Sequence, residues 1–306
     1  MPSLEALIAS PHQLAAVVTQ PDRPGGRGRE LRISPVKRVA VAHSVPVVQP
    51  ERIGDKDAIV AVRAYGKPDA VVVVAYGQKI PPELLEWPEI GVVNVHGSLL
   101  PKYRGAAPIQ HALIMGEKQT GVTTMLMDEG WDTGDILLQS VVNIADGENA
   151  GELSERLARL GADLLIRTLD GLEAGVIHPT PQDDELATIA KSLPSDAGAI
   201  DWRGSAQAIV NRVRGCTPRP GAFTRLADTR LKVCRAAVYE YDLKHDTPGQ
   251  ILAITDDGIS VAAGQGSVVL LEVQPESRRR MRAVDFARGA SVRVGDVFDA
   301  WFEQTG

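Results

Sequence analysis

At 306 residues, with 44% hydrophobic and 24% charged residues, the chain has the makeup of a soluble globular protein and room for two cores. No apolar run approaches the roughly 20 residues that span a bilayer, and the start lacks the basic segment and apolar core of a signal peptide, so a cytoplasmic setting is expected. The net charge of -6 excludes a uniformly basic nucleic-acid binder, and the two cysteines, Cys216 and Cys234, have neither the spacing nor the partners of a metal or redox site.

In chain order, Ser3 to Ala9 carries Leu4, Leu7 and Ile8 on one helical stripe, and Leu14 to Val18 reads as a short buried strand. Thr19 to Pro35 is a loop by composition. Its prolines and glycines are interleaved with arginines, a makeup suited to meeting phosphate oxygens. Between Thr19 and Arg38, Arg23, Arg27, Arg29, Arg32, Lys37 and Arg38 face only Asp22 and Glu30. A second basic island holds Arg278, Arg279, Arg280 and Arg282. Phosphate attraction is short-ranged, so such islands on an acidic chain point to polyanion contact at specific patches.

A helix from Pro35 to His43, a strand at Val45 to Val48, a helix around Asp57 to Tyr65 and a strand at Ala70 to Ala75 follow. Val71 to Val74 is an unbroken β-branched run, which predicts a strand covered on both faces of a parallel sheet. The next strand is Val92 to His96, then a helix over Pro108 to Met115, strands at Val122 to Met127 and Asp135 to Ile144, and a long amphipathic helix over Asn149 to Ala174. Residues 178–203 lack periodicity and read as a linker between a first domain, 1–177, and a second, 204–306. The second domain opens with a helix at Ser205 to Arg214. Short, evenly spaced β segments then begin at Ala222, Leu231, Gly249, Gly258 and Ser267, the pattern of a small barrel or sandwich.

The chemistry gathers between Gly91 and Ile136. Asn94 and His96 are two residues apart on a strand, so their side chains leave the same face. Asp132, in the acidic turn after the next strand, reaches that face if the two strands pair. No serine or cysteine stands in a nucleophile-elbow context and no phosphate-binding glycine loop is present. An amide, an imidazole and a carboxylate without a nucleophile suit direct acyl transfer to an amine: the amide and a protonated imidazole donate to the oxyanion, the carboxylate fixes the ring, and it or a bound water takes up a proton. The bland alternative is a hydrogen-bonded structural histidine. Trp131 either walls a ring-shaped ligand or packs, and Trp87, Trp202 and Trp301 read as structural.

The runs N-V-H-G-S-L-L-P-K-Y-R-G-A-A-P-I-Q and G-V-T-T-M-L-M-D-E-G-W-D-T-G-D-I resemble the folate-dependent formyltransferases. T-Q-P-D-R-P-G-G-R-G with S-P-V-K is similar to the methionyl-tRNA branch of that family, and the resemblance extends through V-V-V-V-A-Y-G, I-D-W and R-R-M-R-A-V-D. It implies an α/β, Rossmann-like catalytic domain with a mostly parallel sheet, followed by a C-terminal OB-fold-like β-barrel. The implied reaction moves the formyl group of 10-formyltetrahydrofolate onto methionyl initiator tRNA, without a metal and as a monomer. By the same resemblance Asn94, His96 and Asp132 are catalytic, and Ser98, Leu99, Leu100 and Pro101 bind folate. Arg23, Arg27 and Arg29, with Arg279 and Arg280, contact tRNA. One departure is expected to matter: the family begins with a central strand ending in a G-T-P-like turn, and this chain starts inside the following helix. The expectation is a start lying upstream of Met1, or a shortened product with a gap in its sheet. Rival readings are transfer to another acceptor, such as an amino sugar nucleotide or water, and RNA binding without catalysis.

Overall fold

The structure, a computed structural model, describes residues 1–25, 30–227, 229–239 and 247–299. Two compact units are interleaved in sequence. The first holds Met1–Gly105, Gly121–Val142 and Glu155–Ile189; the second holds Ala106–Thr120, Asn143–Ser154 and the residues from Ala190 on. The stretch expected as a linker therefore divides: 178–189 belongs with the first unit and 190–203 with the second.

Helix α1 (Pro2–Ala9) leads into strand β1 (Val17–Val18), shorter and less buried than the pattern predicts. The stretch expected to be all loop contains an antiparallel ribbon of β2 (Arg23–Gly25) and β3 (Glu30–Arg32), in register Arg23 to Arg32. Pro24 is tolerated there because a two-stranded ribbon leaves one side of each strand unpaired. Helix α2 (Pro35–Ala42) starts at Ser34, whose hydroxyl accepts from Lys37 N, with Pro35 in the first turn. Strand β4 (Val47–Val48) pairs in parallel with β1, and helix α3 (Lys56–Arg63) precedes strand β5 (Ala70–Val73). A short helix α4 (Pro82–Leu85) then leads to β6 (Gly91–His96).

After helix α5 (Pro108–Ile114), strand β7 (Gln119–Leu126) pairs antiparallel with β6, β8 (Ile136–Asn143) follows on its other side, and β5 pairs with β6 in parallel. Among the described residues, β1 and β4 form one small sheet and β5 to β8 another. This corrects the reading of Val71 to Val74 as fully covered. All four residues of β5 are half-buried and Val74 is 44% exposed, because β5 has, among the described residues, a hydrogen-bonded neighbour on one side only.

The long helix α6 (Ala150–Glu173) begins with a reciprocal cap. Asn149 Oδ1 accepts from Gly151 N and Glu152 N, while Glu152 Oε2 accepts from Asn149 N at 3.0 Å. Its leucines close the first core, where Leu165 and Leu169 meet Val93, Leu137 and Leu7. Gly161 lets the helix approach the sheet: a Cβ there would stand 2.9 Å from Val95. That contact seats α6 on the strand that carries the candidate site.

In the second unit, helix α7 (Ala206–Cys216) is capped by Ser205. Five strands follow, β9 (Ala222–Leu226), β10 (Thr229–Tyr239), β11 (Ile251–Thr255), β12 (Gly258–Ala262) and β13 (Ser267–Pro275), close to the predicted ones. Strand β14 (Met281–Arg282), helix α8 (Ala283–Gly289) and strand β15 (Phe298–Asp299) complete it. The order is β11-β12-β13-β10-β9-β15. The sheet curls until Ile251 N donates to Asp296 O and Phe298 N to Gly249 O, each at 2.8 Å, which ties the β15 end back to β11 in the manner of an OB-like barrel. Its core includes Trp202, 1% exposed, stacked on Phe298 and donating through Nε1 to Thr224 Oγ1. The tryptophan of the I-D-W run is thus structural, as expected.

Candidate active site

Strand β6 presents Asn94 and His96 on one face, with Asn94 opposite Met125 and His96 opposite Thr123 of β7. Both side chains are almost fully buried, at 8% and 6% exposure. The turn from β7 to β8 brings Asp132 onto them. Asn94 Nδ2 lies 3.4 Å from Asp132 Oδ1, and His96 Nδ1 lies 3.6 Å from Asp132 Oδ2. His96 donates through Nε2 to Tyr103 O at 2.9 Å. Since a carbonyl can only accept, the neutral ring carries its proton on Nε2, and Nδ1 gains one only in the imidazolium form.

Asp132 is held in place by its surroundings. Its φ of 55° is in the left-handed region, which aspartate tolerates better than most residues. Gly105 N donates to Oδ2 at 2.8 Å. The turn is braced from inside by Asp128, whose carboxylate accepts from Gly130 N and Thr133 Oγ1. From outside, Gln182 Nε2 donates to Asp132 O and to Gly134 O, at 2.8 and 2.7 Å. Trp131 is 71% exposed beside Asp132, so it is not a packing residue.

The run after β6 is shaped by polar ties. Ser98, fully buried, spends its hydroxyl on Lys102 O at 2.6 Å, and its carbonyl accepts from Thr123 Oγ1. Leu100, also buried, donates N–H to Thr123 Oγ1, and its carbonyl accepts from Gln139 Nε2. Ser98 and Leu100 thus set the loop's course, while Leu99 and Pro101 remain partly exposed. Thr123, Gln139, Arg104 and Gln182 escape a reading of the sequence. Arg104 stands in the quoted K-Y-R-G run, but Gln182 lies in an aperiodic stretch that carries no signal.

Of the basic residues, Arg23 is exposed, 4.0 Å from the equally exposed Glu51. Arg279 is exposed, and Arg280 is ion-paired with Glu272. Lys37 of the first cluster is bound to Asp22, and that hydrogen bond, with a second from Gln49, holds the Asp22 carboxyl below its ordinary pKa. Arg27 and Arg29 lie outside the described residues.

The family described as Formyl transferase matches residues 3–169, and Formyl transferase, C-terminal domain, matches 193–291. The methionyl-tRNA formyltransferase of Syntrophus aciditrophicus is 48% identical over 297 residues, 97% of this chain and 95% of that protein. This chain belongs to the methionyl-tRNA formyltransferase family. The Acetivibrio thermocellus member is 45% identical over the same shares of each chain. The fold is shared more widely. WlaRD, a sugar 3N-formyl transferase solved in the presence of dTDP and 5-N-formyl-THF, has a TM-score of 0.65 at 15% identity, over 91% of this chain and 94% of its own. HypX from Aquifex aeolicus in complex with tetrahydrofolic acid has a TM-score of 0.62 at 18% identity, over 86% of this chain and 47% of its own.

Proposed function

We propose that this chain transfers the formyl group of 10-formyltetrahydrofolate to the amino group of methionyl initiator tRNA, with Asn94, His96 and Asp132 as its catalytic groups. The observation that carries the reading is the meeting of a buried amide, a buried imidazole and a carboxylate at one point, in a chain of this family. The amine lone pair forms the new C–N bond while the carbonyl π pair moves onto oxygen. Asn94 has two amide N–H groups and spends one, at most, on a long contact to Asp132, so one is free for the oxyanion. His96 adds a second donor, Nδ1–H, when its ring carries both protons. Asp132 Oδ1, which among the described residues has only the long Asn94 contact, takes the proton released by the amine and returns it to the folate nitrogen as the formyl carbon–nitrogen bond to folate breaks.

Leu99 and Pro101 offer apolar surface to the folate ring, on a loop whose course Ser98 and Leu100 set. Trp131 gives the acceptor an aromatic wall. Arg23, Arg279 and Arg280 contact tRNA phosphates, as do Arg27 and Arg29 by family resemblance. The test is a formyl-transfer assay with charged initiator tRNA and 10-formyltetrahydrofolate. Formylmethionyl-tRNA is the expected product. Transfer only to an amino sugar nucleotide, hydrolysis of the donor alone, or tRNA binding without turnover would each refute the reading.

A further inference from the structure

Residues 178–189 contain only one short turn of 3-10 helix, Asp184–Leu186, yet they are tied at several points to the run after β6, to the start of β8 and to the turn that carries Asp132. Thr180 exchanges backbone hydrogen bonds with Ile136, Arg104 N donates to Thr188 O at 2.8 Å, and Tyr103 N donates to Thr188 Oγ1. At the centre is Gln182. Its amide nitrogen spends both N–H groups on the carbonyls of Asp132 and Gly134, and its oxygen accepts from Arg104 Nε at 2.9 Å. The orientation is dictated by chemistry, because an amide oxygen turned toward two carbonyls would repel both. Arg104 is in turn fixed: its side chain is 7% exposed, and its guanidinium reaches Asp184 Oδ1 at 2.8 Å.

We infer that Gln182 and Arg104 are positioning residues for the proposed formyl transfer, acting through the backbone of Asp132. That role rests on the reaction reading above, and the geometry supplies its physical basis. Asp132 holds a left-handed backbone conformation that costs energy unless its surroundings over-determine it. Gln182 grips the carbonyl of that residue and the carbonyl two residues on, while Gly105, the neighbour of Arg104, grips its carboxylate. Backbone and side chain of Asp132 are therefore both fixed from the pair Arg104–Gly105, directly or through Gln182. Neither Gln182 nor Arg104 approaches the reacting atoms in this scheme. Their effect falls on the alignment of Asp132 with Asn94 and His96, the kind of alignment whose loss by about 1 Å costs about 100-fold in rate.

The test uses the full chain with Gln182→Met, which keeps length and volume but loses all three hydrogen bonds, and Arg104→Lys, which keeps the charge facing Asp184 but loses the Nε donor. Both are expected to lower kcat about 10- to 100-fold with KM for tRNA and folate changed by less than about twofold. Amides of residues 128–134 should exchange hydrogen faster in Gln182→Met, while protection of the β6 amides stays as in wild type. A Gln182→Met protein with kcat within about twofold of wild type overturns the inference, as does a loss that appears in KM instead. Should the wild type fail to formylate methionyl-tRNA, the reaction reading falls separately. The exchange measurement still decides the tie, and unchanged protection of residues 128–134 refutes it.

Discussion

Gly134 closes the turn that carries Asp132, and replacing it with alanine tests whether the reactivity depends on that turn's shape. A Cβ on Gly134 would stand 1.8 Å from Leu126 O, against an ordinary contact of about 3.4 Å. The obstruction is the backbone of β7, so no side-chain rotation relieves it, and the turn must yield by about 1.6 Å. The same move strains the bond from Gln182 to Gly134 O and shifts a residue only two positions from Asp132. Overpacking of this kind costs about 1–3 kcal/mol of stability, and an ångström-scale displacement of Asp132 costs about 100-fold in kcat. A Cβ added at Gly54 would meet nothing within 4 Å, and its φ is not in the left-handed region, so Gly54→Ala serves as the neutral control. The assay is steady-state formylation of methionyl-tRNA alongside urea unfolding of both variants. Gly134→Ala with kcat within about threefold of wild type would refute the claim that the turn's geometry sets the rate.

Asn94→Ala should lower kcat by about 100- to 1,000-fold, the usual cost of one oxyanion donor, with tRNA affinity unchanged in filter binding. Arg279→Ala should weaken tRNA binding and reduce the log-log salt slope by up to about 0.9, more than Arg280→Ala does, because Arg280 is already paired with Glu272. Salt titrations of the two variants check the order. Burial raises the Cys216 thiol to about 11 from 9.0. The folded chain then keeps a proton that the unfolded chain releases. Stability therefore falls as pH rises from about 9 to about 11, by at most about 1.4 kcal/mol per unit, and is unaffected by this group below that window. Urea unfolding across the window should show a shallower fall in Cys216→Ala.

The strands of the second unit are legible in the sequence because turn signals such as Asp256-Asp257-Gly258 bracket runs of β-branched residues, and such runs have few alternatives to pairing. Helix α6 is legible for a similar reason: 24 residues keep one apolar stripe behind an Asn149 to Glu152 cap. The exposure of β5 is not, since an unbroken valine run predicts burial whatever lies beside the strand, and neighbours are a property of topology. The ribbon of β2 and β3 is hidden because glycine and proline mark turns without telling whether the flanking residues pair.

The same division runs through the site. A two-residue spacing on a strand suffices to put Asn94 and His96 on one face, and the motif runs around them are specific enough to name a family; both follow from local periodicity and residue identity. Whether Asp132, 36 residues beyond His96, would meet them depended on β6 and β7 pairing antiparallel with Asn94 opposite Met125. The tie from Gln182 through Arg104 was further still from view. Residues 78 positions apart were brought together by a segment with no periodicity of its own, and a hydrogen bond between side chains so distant in sequence leaves no local pattern to read.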